Sequence, residues 1–211
     1  MSCEPFLSHR SYELMTKVTL KQSQDKLNDV DSKPEDILMT FQNGDEKYHA
    51  GCVYNFALFL PILKYNTSVS IPNEESALAK SIMETWSSSN YVDSFTQMYN
   101  DMNKKALQLE TPGWIFLTYN TKRKKLHVCT LQLHDNPLAY CNDGPLRIPL
   151  FAWNLWEHAY YLQYEYRKSN YIKALWYITN WDVIESRFTN ILQSDKPLCV
   201  TSLHDTFTSS T

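Results

Sequence analysis

Long apolar runs are missing from this chain. Of its 211 residues, no stretch reaches the ~18 consecutive apolar positions that cross a bilayer. The longest candidate, Val53 to Leu63, is interrupted by Tyr54, Asn55 and Pro61. A protein in solution or at a membrane surface is expected. Paired cysteine motifs are missing too: Cys3, Cys52, Cys129, Cys141 and Cys199 are odd in number and widely spaced. That pattern gives neither a disulfide framework nor a zinc site, and it fits a reducing compartment. The opening residues Met-Ser-Cys-Glu-Pro-Phe-Leu-Ser-His-Arg lack both the apolar core of a signal peptide and the Arg-rich, acid-poor character of a transit peptide. A surplus of positive charge is absent as well. A formal net charge of −3 excludes a surface that wraps nucleic acid as a whole, while leaving room for a local basic patch. No repeat or low-complexity segment appears. What the chain does have is 43% hydrophobic and 14% aromatic residues, enough for a packed core.

The apolar spacing predicts an amphipathic helix over residues 6–28, with Leu7, Leu14, Met15 and Val18 on one side. Asp29 to Lys33 breaks it. Pro34-Glu35-Asp36 places proline and acids where a helix N-terminus favours them, and this second helical stretch runs with interruptions through His49 to Leu63. The two form an expected antiparallel hairpin. After a polar connector, Pro72-Asn73-Glu74-Glu75 opens a helix that continues to about Leu109, with Asn73 as its cap. The period then changes. Trp114-Ile-Phe-Leu-Thr-Tyr and Leu126-His-Val-Cys-Thr-Leu-Gln-Leu flank the charged turn Lys122-Arg-Lys-Lys, which reads as a β-hairpin. Ile148 to Trp153 reads as a third strand. Helices are expected again over 157–167, 171–176 and from Asn180 through Phe188. The order predicts an α+β fold, divided into a helical hairpin domain over 1–72, an α/β domain over 73–194 and a flexible tail over 195–211.

The segment Trp153-Asn-Leu-Trp-Glu-His-Ala-Tyr-Tyr resembles the C-terminal metal-site signature of the iron/manganese superoxide dismutases, D-x-W-E-H-A-Y-Y. Asn55-Phe-Ala-Leu-Phe-Leu is similar to that family's N-H-S-L-F-W helix, Leu133-His-Asp-Asn-Pro-Leu to its N-Q-D-S-P-L segment, and Pro112-Gly-Trp-Ile-Phe-Leu to its G-x-G-W-x-W-L strand. The resemblance implies an N-terminal helical hairpin followed by a small three-stranded antiparallel sheet surrounded by helices. It also implies a metal held by three histidines and an aspartate, with an outer-sphere Gln or His. Transferred residue by residue, the aspartate position holds Asn154, the last histidine is His158, the second histidine position holds Phe56 and the outer-sphere residue is His134. His9 is the candidate for the first histidine, and His49 in Lys47-Tyr-His-Ala-Gly is its rival.

An amide and a phenyl ring cannot replace a carboxylate and an imidazole around a redox metal. The expectation is therefore a pseudoenzyme with no cofactor; the alternative is an active dismutase carrying Mn or Fe. In the family the Glu-His pair of W-E-H-A bridges two subunits, so the resemblance assigns Glu157, His158 and Tyr161 to a dimer interface. His158 reads equally as a satisfied structural histidine. Superoxide-dismutase-like proteins occur in the small subunit of the mitochondrial ribosome, where they pair with each other. A homo- or heterodimer within such a mitochondrial assembly, among ribosomal proteins and rRNA, is the role the resemblance implies. An accessory subunit of a respiratory complex, or a cytoplasmic location, is the alternative. Lys122, Arg123, Lys124 and Lys125 read either as a solvated turn or as an RNA phosphate contact.

Overall fold

The computed structural model describes residues 7–40, 44–64, 70–88, 90–143 and 146–200. The first helical stretch comprises α1 (His9–Glu13), a π-helical segment (Leu14–Leu20) and α2 (Lys21–Leu27). Ser8 caps α1, accepting from the Ser11 amide at 3.2 Å. The wider π-turn was not legible in the apolar spacing. It brings Met15 and Leu20, five residues apart, to the same buried side. Then α3 (Pro34–Leu38) starts on its proline, with Glu35 and Asp36 in the first turn as the sequence indicated. A separate helix, α4 (Asp45–Phe59), follows. Every residue from Ala50 to Phe59 is buried, so after an exposed first turn α4 runs through the core without a solvent face. It continues into one 3-10 turn, Leu60–Ile62.

The single helix expected between Pro72 and Leu109 is two: α5 (Ala77–Trp86) and α6 (Tyr91–Gln108). Asn73 closes a turn onto the Glu75 amide, and the cap of α5 is Ser76, which accepts from Ala79 at 3.0 Å. The break follows from Ser87, whose left-handed backbone (φ 37°) ends α5. Asn90 then caps α6 through the Asp93 amide at 2.9 Å. The hairpin forms as expected: β1 (Gly113–Asn120) pairs antiparallel with β2 (Lys125–Gln132). Lys124 turns the chain at φ 53°. After a 3-10 segment (Pro137–Asp143), β3 (Arg147–Asn154) pairs with the other side of β1. The sheet order is β2-β1-β3, and the central strand is buried along its whole length. Three helices complete the fold: α7 (Glu157–Tyr164), α8 (Lys168–Ile178) and α9 (Trp181–Ser194). The architecture is α+β, as the sequence predicts.

Two contacts tie distant parts together. Arg187 of α9 is buried and donates to the Ala57, Leu58 and Leu150 carbonyls at 2.8–3.2 Å. The Ala57 and Leu58 carbonyls, at the end of α4, carry the negative end of its dipole, and Leu150 adds a strand carbonyl, which is how a cation is accommodated there without a carboxylate. Burial nonetheless pushes the guanidinium down to about 10. The segment expected to be a flexible tail begins differently: residues 195–200 lie along the fold, with Leu198 and Val200 packed on the core. The Val200 amide donates to both oxygens of buried Glu35 at 3.3 Å. The rest of that tail, 201–211, lies outside the described residues.

Candidate metal centre

Asn154 ends β3 opposite Trp114 of β1, so both side chains leave the sheet on one face. Asn154 is fully buried and its amide is saturated. Its Oδ1 accepts from the Trp156 amide at 2.9 Å. Its Nδ2 lies 3.4 Å from Met15 Sδ and 3.4 Å from His158 Nε2. Four residues separate Asn154 from His158, and one turn at the start of α7 is what brings the imidazole back over the amide. Burial pushes His158 down to about 4, so it is neutral at physiological pH and its Nε2 can accept from the Asn154 amide. Phe56 of α4 closes the group, its ring edge-on to Trp114 at 5.1 Å.

A second layer backs this group. His134 is 2% exposed; its Nδ1 accepts from Trp114 Nε1 at 3.2 Å. Its ring stacks on Trp156 at 4.7 Å and meets Tyr48 edge-on at 4.9 Å. Burial first, and then the proximity of His158 and His49, pushes His134 down to about 3. The loop that carries it is bound to α4 by Asn55, which donates to the His134 and Asp135 carbonyls at 3.3 Å. Asn136 donates in turn to Asn55 at 2.7 Å. Gly51 permits the approach, because a Cβ there would lie 2.0 Å from the His134 carbonyl oxygen.

The structure brings Phe56, Asn154, His158 and His134 into one region and leaves His9 out of it. His9 lies on the solvent side of α1, its side chain 62% exposed and its Nε2 3.5 Å from Glu13. Met15, six residues later and more than a turn and a half along the helix, is the residue that reaches Asn154. Motif reading missed it because a methionine on an apolar helix face reads simply as core. His49 also stays outside, with Nδ1 3.1 Å from Ser23 Oγ. Glu157 is exposed in the first turn of α7, and Tyr161 is 57% exposed. Together with Leu14, His158 and Leu162 they line an open cleft. Lys122 to Lys125 form an exposed turn, in which Lys124 is 3.7 Å from Asp195.

Residues 74–187 match the model of the iron/manganese superoxide dismutase C-terminal domain, and the chain belongs to that family. Over 204 residues it is 31% identical to a probable mitochondrial manganese superoxide dismutase of Debaryomyces hansenii, covering 90% of each chain. It is 28% identical over 187 residues to a superoxide dismutase [Mn/Fe] 2 of Staphylococcus aureus, covering 85% of this chain and 82% of that one. A mitochondrial manganese superoxide dismutase of Glossina morsitans morsitans is 35% identical over 128 residues, 58% of this chain and 52% of the relative.

The family implies iron or manganese, so the donors here decide whether such an ion fits. Met15 offers a soft thioether, Phe56 offers nothing, and Asn154 turns its N–H groups rather than its oxygen toward His158. Among the described residues there is no group of three or more His, Cys, Asp or Glu able to hold a metal. One imidazole supplies neither the charge nor the ligand number that a hard or borderline cation requires. These residues do not fit iron or manganese.

Proposed function

We propose that this chain is a non-catalytic member of the superoxide dismutase family that serves as a structural subunit of a mitochondrial assembly, and that this assembly is the small subunit of the mitochondrial ribosome. The supporting observation is Asn154, whose amide is already engaged by Trp156, Met15 and His158, with the phenyl ring of Phe56 beside it against Trp114. Glu157, His158 and Tyr161 remain on an open face, which supports pairing with a second chain of the same fold, identical or not. A mitochondrial location is supported by the names of two relatives, and the choice of the ribosome rests on analogy with other proteins of this fold. In that setting Lys122 to Lys125 would face rRNA. An accessory role in a respiratory complex would use the same face.

The second reading is an active manganese or iron superoxide dismutase, and the names of all three relatives favour it. Elemental analysis of protein expressed in medium supplemented with both metals separates the two. The structural reading expects no stoichiometric iron or manganese and no superoxide-dependent activity. An equimolar metal content with dismutase activity would establish the enzyme instead. Gradient sedimentation of mitochondrial lysate tests the assembly: co-migration with the small ribosomal subunit at moderate salt is expected, and migration with a respiratory complex or as a free dimer would reject it.

A further inference from the structure

The strand register extends the basic turn into a larger cationic surface. Asn120 of β1 lies opposite Lys125 on one side and Arg147 on the other, so Lys125, Asn120 and Arg147 form a row across the sheet. With strands about 4.8 Å apart, its two cations stand about 10 Å from each other. Arg123 is anchored to the same row, its amide donating to Asn120 Oδ1 at 2.8 Å. The next row on this face holds His127, which is exposed, opposite Thr118. Lys105 reaches in from α6, donating to the Val128 carbonyl at 2.8 Å and pairing with Asp101 at 3.2 Å. Desolvation of the ring, then Lys105 and Arg147, depress the basicity of His127; Asp101 opposes them and Arg123 adds to them.

Among the described residues, Lys122, Arg123, Lys125 and Arg147 have no carboxylate within ion-pair distance, whereas Lys105 and Lys124 do. In a chain of net charge −3 these exposed cations are gathered at one end of the sheet, and a polyanion bound across them would offset their mutual repulsion. No large hydrophobic side chain is exposed on this turn, on β2 or at the start of β3. That absence disfavours membrane insertion, and it leaves no Phe, Tyr or Trp ring on which bases could stack.

We infer that Arg123, Lys125 and Arg147, flanked by Lys122 and Lys105, form a docking surface for the phosphate backbone of RNA, read without base specificity. The choice of RNA among polyanions rests on the ribosomal reading above; the surface itself does not. The geometry suits backbone contact, since a rigid sheet holds the cations in a fixed row and each neutralised phosphate releases counterions.

The test is binding of the full-length chain to a fluorescent poly(U) oligonucleotide across a salt series. R123E/K125E/R147E is compared with wild type and with K17E/K21E on the N-terminal helices, after circular dichroism shows that all are folded. The sheet variant is expected to bind roughly tenfold more weakly or worse, with the slope of log affinity against log salt shallower by about 2, because single strands give ~0.7 per phosphate contact. R123Q/K125Q/R147Q should fall between. Equal loss in the K17E/K21E control, unchanged binding by the sheet variant, preference for phosphatidylserine vesicles over poly(U), or no binding at low salt would each overturn the inference. If wild type and sheet variant both co-migrate with the ribosomal subunit, the structural role stands and this surface does not. If poly(U) binding depends on the surface while wild type fails to co-migrate, the reverse holds.

Discussion

Asn154 shows how one atom type decides what a site can do. A carboxylate here would present oxygen in both directions, whereas the amide accepts from Trp156 and directs its N–H groups to a sulfur and a ring nitrogen. The neighbouring histidines respond to burial in a way that stability should report. His158 and His134 are held down to about 4 and about 3, against an ordinary value of 6.5. Between those values and 6.5 the unfolded chain binds protons that the folded chain refuses. Their contribution is therefore complete above about pH 6.5 and is lost as pH falls through that window, at up to ~1.4 kcal/mol per pH unit for each ring. Chemical denaturation at neutral pH and at about pH 5 should show this fall. His134→Gln keeps an acceptor for the Trp114 N–H and does not titrate, so it should flatten the pH dependence measurably; an unchanged slope would remove His134 from the account.

At the level of elements, the sheet was the most legible part of the sequence. Apolar residues on both sides of Lys122-Arg-Lys-Lys leave little but a hairpin, and the structure pairs Trp114 with Leu131 and Tyr119 with Leu126 accordingly. The split between α5 and α6 was not legible, because the apolar anchors continue through it and the left-handed Ser87 is not a glycine. The site was legible where the motif is contiguous, from Asn154 to His158. It was not legible at Met15, where a π-turn sets which side chain faces inward. The packing of α4 against the His134 loop makes its own prediction. Gly51→Ala would drive a methyl group into the His134 carbonyl, and such overpacking costs about 1–3 kcal/mol. A lowered thermal midpoint is expected, together with a changed environment for Trp114 and Trp156 in tryptophan fluorescence. For α7, Glu157→Ala should leave monomer stability nearly unchanged, because the side chain is exposed. It should weaken self- or partner association, and native mass spectrometry would show this as a shift toward single chains. A dimer as tight as wild type would argue that α7 is not the interface.

For the molecule as a whole, three side chains would have to change together to give this site the donors that iron or manganese requires. M15H/F56H/N154D introduces two imidazoles and a carboxylate into the region that holds His158. If the surrounding frame of Trp114, His134 and Trp156 suits a metal, this variant should take up manganese or iron in elemental analysis, where the native chain is expected to take up none. Any single replacement should cost stability without restoring binding, since an isolated buried charge or imidazole has no ion to satisfy it. Metal in the native chain at the level of the triple variant would show that the native donors suffice.

The backbone of Val200 reaches Glu35 across 165 positions of sequence, and that span sets a schedule. During synthesis at ~5–20 residues per second, the carboxylate at the start of α3 waits on the order of ten to thirty seconds for the amide that meets it. Until then the α3 to α4 corner cannot close around a satisfied acid. The α3 to α4 corner should therefore be among the last parts of the fold to close, after Val200 has been made, rather than setting in order from the N-terminus outward.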